Sequence, residues 1–170
     1  MTVSVGGAGA VHDCTAGERV STCAGRVAGA AGGGPTPMKK LERSAAELVA
    51  AARARIDEIG TDELIARVDD PDTVIVDVRD VRERKRSGWI PGSVHAPRGM
   101  VEFWVDPDSP YYKEVFGQEG KRYVFHCASG WRSALTVATL ADMGFDAAHL
   151  KDGFTDWERR GGPIEREESG

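Results

Sequence analysis

Residues 123–132 read Tyr-Val-Phe-His-Cys-Ala-Ser-Gly-Trp-Arg, an apolar run that ends in a cysteine and a short glycine-containing loop, and a helical stretch follows at 133–143. A passage from buried strand to buried helix through so few residues leaves few folds open. Parallel strands need long crossover connections, and a helix is the usual crossover. The rest of the chain repeats the rhythm. Residues 73–78 are apolar except for Asp77, as expected of a strand covered on both faces. A polar helix is predicted at 80–86, short strands at 93–96 and 147–150, and a closing helix at 154–160. Upstream, Leu41, Ala45, Leu48, Val49, Ala52 and Ile56 recur at helical spacing, with Ser44 as N-cap and Glu47 three residues on. A second short helix is predicted at 61–68, ended by Asp69-Asp70-Pro71-Asp72.

The helix after the cysteine carries only a narrow polar stripe, Thr136, Thr139 and Asp142, and is otherwise apolar, which predicts deep burial. Gly144 is placed to end it as the C′ residue. The cysteine loop is therefore mounted between a core strand and a core helix. A cysteine in that position faces free backbone N–H groups and the positive end of a helix dipole, both of which favour the thiolate. Arg132 adds a charge that persists at any working pH. The bland reading is an inert buried cysteine, a common fate of lone thiols.

Composition narrows the rest. The 170 residues suit one domain with its own core. A net charge of −5 argues against nucleic acid as the main partner, and no apolar run approaches the roughly 20 residues of a membrane span. Cysteines stand at 14, 23 and 127 without a CxxC pair, and His12-x-Cys14 lacks further ligands, so no metal or other cofactor is expected. An odd count without a disulfide framework fits a reducing compartment, hence a cytoplasmic protein. Residues 1–37 hold nine Gly and seven Ala, with no Leu, Ile, Phe, Trp or Tyr. Such a stretch is expected to be a disordered extension and lacks the apolar core of an export signal. The abrupt change at Met38 raises a second expectation, that translation begins there. Residues 38–60 then form an N-terminal helix and 61–165 the main domain.

Three separated blocks resemble the rhodanese-like sulfurtransferase family. The first is Asp77-Val78-Arg79 with Glu83, followed by Gly88-Trp89-Ile90-Pro91-Gly92-Ser93-Val94-His95-Ala96-Pro97, similar to the family's Asp-x-Arg and Gly-His-Ile-Pro-Gly-Ala stretches. The second is Cys127 to Arg132 with Ser133. The third is Leu150-Lys151-Asp152-Gly153-Phe154 with Trp157 and Gly161-Gly162-Pro163, similar to the family's closing Gly-Gly, Trp and Gly-x-Pro signature. Trp89 stands where many members have histidine and Asp152 where many have glycine, departures that bear on local packing rather than on the nucleophile. The resemblance implies a three-layer α/β/α fold around a mostly parallel sheet of about five strands.

It also implies a function. The Cys127 thiolate takes a sulfane sulfur from a small donor such as thiosulfate, holds it as a persulfide, and passes it to a thiol, to cyanide or to an acceptor protein. Gly130 lets the backbone curl around the sulfur, and the N–H groups of Ala128, Ser129, Gly130, Trp131 and Arg132 form the cradle. Asp77, Arg79 and Ser133 are supporting residues. Two roles remain open for Arg132, contact with the anion or pairing with a core carboxylate. Trp131 either gates the pocket or packs on the segment at 98–120, whose Phe103, Trp104, Tyr111 and Tyr112 are expected to wall the loop and set substrate choice. His126 should point to the opposite side of the sheet from Cys127. Two alternatives stand beside the enzyme. One is a non-catalytic sulfur-carrier or protein-binding module. The other, ranked lower, is a cysteine phosphatase, whose Cys-x5-Arg loop is one residue longer than the four-residue spacing between Cys127 and Arg132.

Overall fold

A computed structural model describes residues 41–167. The expectations for residues 1–37 and for a start at Met38 lie outside that range. Five strands form one sheet: β1 (Asp57–Ile59), β2 (Thr73–Asp77), β3 (Val94–His95), β4 (Arg122–His126) and β5 (Ala148–Leu150). Helices α1 (Ala45–Arg53), α2 (Thr61–Ile65), α3 (Val81–Ser87), α4 (Val101–Val105), α5 (Trp131–Asp142) and α6 (Gly153–Arg159) connect or flank them. The strand order is β1-β5-β4-β2-β3 and every neighbouring pair is parallel. The expected α/β sheet is therefore present, with all five strands parallel.

Strand alternation sorts the core into two layers. Val76 and Val78 of the β2 segment pack with Tyr123, Phe125, Cys127, Val137 and Leu140 on one face. Ile75 and Val124 pack with Leu64, Phe154 and Trp157 on the other. Helix α5 rests on the first face and is covered in turn by α1 through Val49, Ala52, Ala134 and Ala138. Those small side chains let the two helices approach closely. The buried His126 ring stacks on Phe154, on the face away from Cys127, as alternation requires.

Several boundaries differ from expectation. The first helix ends at Arg53 rather than reaching Ile56, and the chain then forms β1, which pairs with β5. Of the segment expected at 38–60, residues 41–60 thus supply a sheet strand as well as a helix. Two charged residues in a three-residue strand carry no readable period. Helix α2 stops at Ile65, three residues early. Helix α5 begins at Trp131, so Trp131 and Arg132 occupy its first turn rather than a free loop. Gly144, at φ 84°, does follow the helix end. An antiparallel bridge between Trp89 and Glu165 ties the C-terminal stretch to the turn after α3, and the Trp89 indole donates to Glu165 Oε2 at 2.9 Å.

Candidate active site

Cys127 directly follows β4 at the C-terminal edge of the parallel sheet, the edge where open α/β sheets place their ligand sites. Its side chain is fully buried, wrapped by the turn that leads into α5. Two glycines allow the close packing there, one in the turn and one at the start of α6. Gly130 sits at φ 81°, and a Cβ there would fall on the Lys151 carbonyl oxygen and within 2.8 Å of Arg53 Nη2. Gly153 sits at φ 68°, where a Cβ would lie 2.6 Å from the Ala128 carbonyl oxygen. The loop and the start of α6 are therefore pressed backbone to backbone. Phe154 N donates to Cys127 O at 2.8 Å and Thr155 N to Ala128 O at 3.0 Å. These bonds use carbonyls and leave amides free. The amides of Ala128, Ser129 and Gly130 donate to no backbone acceptor among the described residues, and the first amides of any helix lack intrahelical partners.

Arg132 makes two parallel hydrogen bonds to Glu83, at 2.6 and 2.7 Å. Of the two roles the sequence left open, the structure shows the carboxylate pairing. The partner is half-buried Glu83 of α3, whose carboxyl is held below its ordinary range by the Arg132 hydrogen bonds. Glu83 in turn raises the guanidinium, with a smaller contribution from Cys127, so the charge is secure beside the sulfur. Ser133 is fully buried and its Oγ lies 3.6 Å from Cys127 Sγ.

Asp77 and Arg79 stand beneath the loop as a buried pair. Arg79 donates from Nε to Asp77 Oδ1 at 2.9 Å and from Nη2 to Oδ2 at 2.7 Å. Two further hydrogens, on Nη1 and Nη2, reach Ser87 Oγ and the Gly88 carbonyl, and its guanidinium lies 3.9 Å from the centre of the Phe154 ring. Burial alone would raise the Asp77 carboxyl, but His126 and Arg79 more than offset it and hold it low. His126 is itself pushed down to about 4, chiefly by burial. Near neutral pH the cations facing Asp77 are therefore Arg79 and Arg84, the latter 3.5 Å away. This pair braces β2 against α3 and Phe154, and Phe154 holds the Cys127 carbonyl.

A cavity of about 270 Å³ opens beside the loop, lined by Val78, Arg79, Asp80, Pro97, Arg98, Gly99 and Arg132. Of the segment at 98–120, Arg98 and Gly99 border this cavity. Val101, Val105 and Phe116 are buried in the core, while Phe103 and Tyr111 meet edge to face at the surface. Trp131 is 48 % exposed beside the loop. No cluster of His, Cys, Asp or Glu suited to a metal occurs among the described residues.

Sequence reasoning passed over two residues that the fold brings to this site. His149 of β5 is fully buried 3.4 Å from Ser133 Oγ, and Glu58 of β1 lies 2.7 Å from its other nitrogen. A histidine inside the apolar run at 147–150 was the one available signal.

The sequence pattern of the family described as Rhodanese-like domain matches residues 60–160. The chain is 31% identical over 100 residues to mouse thiosulfate sulfurtransferase/rhodanese-like domain-containing protein 3, covering 56% of this chain and 64% of that one. It is 33% identical over 104 residues to YtwF of Bacillus subtilis, which carries the provisional name of a sulfurtransferase, covering 61% of this chain and 91% of the relative. A solved structure from Rhodopseudomonas palustris, a protein of unknown function described as a possible tyrosine phosphatase, is 44% identical with a TM-score of 0.72, covering 75% of this chain and 98% of that one.

Proposed function

The chain belongs to the rhodanese-like domain family, and on that premise we propose that it is a sulfurtransferase whose Cys127 carries sulfur as a persulfide. The observation that supports this most directly is the seat of Cys127 between the end of β4 and the first turn of α5, beside free loop amides and the charged Arg132. The thiolate attacks the outer sulfur of thiosulfate. The sulfur–sulfur bond of the donor breaks, sulfite leaves with the electron pair, and a cysteine persulfide remains. An acceptor such as cyanide or a thiolate then attacks the terminal sulfur, takes it, and returns the Cys127 thiolate. The loop amides offer the persulfide anion hydrogen bonds that need no rearrangement during transfer. Asp77 and Arg79 hold the platform under the loop.

One observation favours a second reading. The Cys127 side chain has no exposed surface, which suits a sulfur carrier or protein-binding module that releases its sulfur only to a docked partner. Incubation of the protein with thiosulfate, followed by intact and peptide mass measurement, should show one added sulfur atom on Cys127. Cyanide should then yield thiocyanate over many turnovers. Sulfur uptake without turnover would select the carrier, and no uptake from thiosulfate or mercaptopyruvate would remove both readings for those donors. Cys127→Ser should take up no sulfur at that position.

A further inference from the structure

Five elements converge on one line of polar groups behind Cys127. Ser133 Oγ of α5 lies 3.6 Å from Cys127 Sγ and 3.4 Å from His149 Nδ1 of β5. His149 Nε2 lies 2.7 Å from Glu58 Oε1 of β1, and Arg53 Nε of α1 is 3.5 Å from the same oxygen. Cys127, Ser133 and His149 are all fully buried. An apolar residue is the usual occupant of such a position in a central strand, so the line needs a reason beyond packing.

Hydrogen counting supplies one. With Glu58 ionised, Nε2 of His149 carries the hydrogen it donates, and Nδ1 is left bare. The single Ser133 hydroxyl hydrogen can then turn to Nδ1, or to the Gly130 carbonyl 3.3 Å away. When Nδ1 is protonated it must donate to Ser133 Oγ, and the hydroxyl hydrogen is free to face the sulfur. We infer that His149, held by Glu58, accepts the Cys127 proton through Ser133, so that the working sulfur is a thiolate paired with a relayed imidazolium. The Cys127 S–H bond breaks, Ser133 receives that proton and passes its own to Nδ1, and no other species is consumed.

The charges around the imidazole are Glu58 from β1, Arg53 from α1 and Asp152 beyond β5, with Arg132 of α5 near the sulfur. Burial outweighs the pull of Glu58 and holds His149 below its ordinary range, so it is neutral until it takes the relayed proton. The inference rests on Cys127 being the reacting thiolate, and it makes His149 and Glu58 positioning residues rather than groups that touch substrate.

The test is a pH titration of the Cys127 thiolate by ultraviolet absorbance in the full-length protein without donor, each variant read against its own Cys127→Ser counterpart. Glu58→Gln and His149→Gln should each raise the midpoint by about one unit or more, a tenfold loss of thiolate below it. Ser133→Ala should raise it too, and the Ser133→Ala/His149→Gln double variant should be no worse than the more affected single variant, because the groups act in series. Unmoved midpoints in Glu58→Gln and His149→Gln, or shifts that add, would overturn the relay. Glu58→Gln keeps volume at a partly exposed site, so it decides the matter if the buried His149→Gln variant proves unfolded by circular dichroism. Since no donor is present, failure of sulfur transfer with thiosulfate would leave this titration able to support or sink the relay separately.

Discussion

Arg132 and Glu83 face each other through two parallel hydrogen bonds of 2.6 and 2.7 Å, joining the first turn of α5 to the first turn of α3. The same Glu83 carboxylate accepts the Asp80 amide at 3.1 Å and completes the capping box of α3. One side chain thus anchors a helix start and balances the Arg132 charge beside the sulfur.

Glu83→Gln should leave the fold intact and strengthen the positive field at the loop. Loss of this half-exposed pair should cost about 1 kcal/mol or less in urea unfolding. The KM for thiosulfate, a dianion, should fall by about two- to five-fold, an effect that added salt weakens. A raised KM would mean that Glu83 aims Arg132 at the donor instead of competing for it.

Gly130→Ala should be far more damaging than its size suggests. The residue stands at φ 81° and its Cβ would meet the Lys151 carbonyl, so strain and clash together should cost at least about 2 kcal/mol. Persulfide formation should be lost with the turn. A Gly130→Ala protein with normal thermal stability and normal sulfur uptake would contradict the close approach of the loop to the start of α6.

His126 should tie stability to pH. Its folded value of about 4 lies below the ordinary 6.5, so between those values the unfolded chain binds the extra proton. Stability is therefore full above about pH 6.5 and declines as pH falls toward 4, by up to about 3 kcal/mol from this group. Urea midpoints measured across that window should fall in the native protein and fall less steeply in His126→Leu. Equal slopes in both would assign the acid loss elsewhere, with His149, also held below 6.5 by burial, the next group to test.

Hydrolysis of para-nitrophenyl phosphate should stay at background while thiosulfate is consumed. Arg132 follows Cys127 after four residues and is paired with Glu83, which leaves a loop one residue short of the phosphatase spacing. Cys127-dependent phosphate release comparable to sulfur transfer would show that the loop expands to take a tetrahedral anion.

The alternating segments announced the α/β sheet because buried parallel strands are continuous apolar runs and the helices between them carry a 3.6-residue period. Asp77 and Arg79 were legible as supporting residues, and their pairing is local, since they lie two residues apart in the chain. Strand β1 was hidden, because Asp57 and Glu58 are charged and three residues are too few to show alternation. The choice of Glu83 as partner for Arg132 was equally hidden, as several carboxylates were available and 49 residues separate the two.

By itself, then, the sequence determined the fold class, the strand-to-helix seat of Cys127 and the glycine that allows its turn, all consequences of local backbone preference and periodic burial. The tertiary structure alone decided what surrounds the sulfur. Glu58, His149, Ser133 and Cys127 come from four different elements, and their line exists only once β1, β5, β4 and α5 have packed. For groups so far apart in the chain, no local spacing says which buried polar groups will meet, and only packing brings them within hydrogen-bond reach.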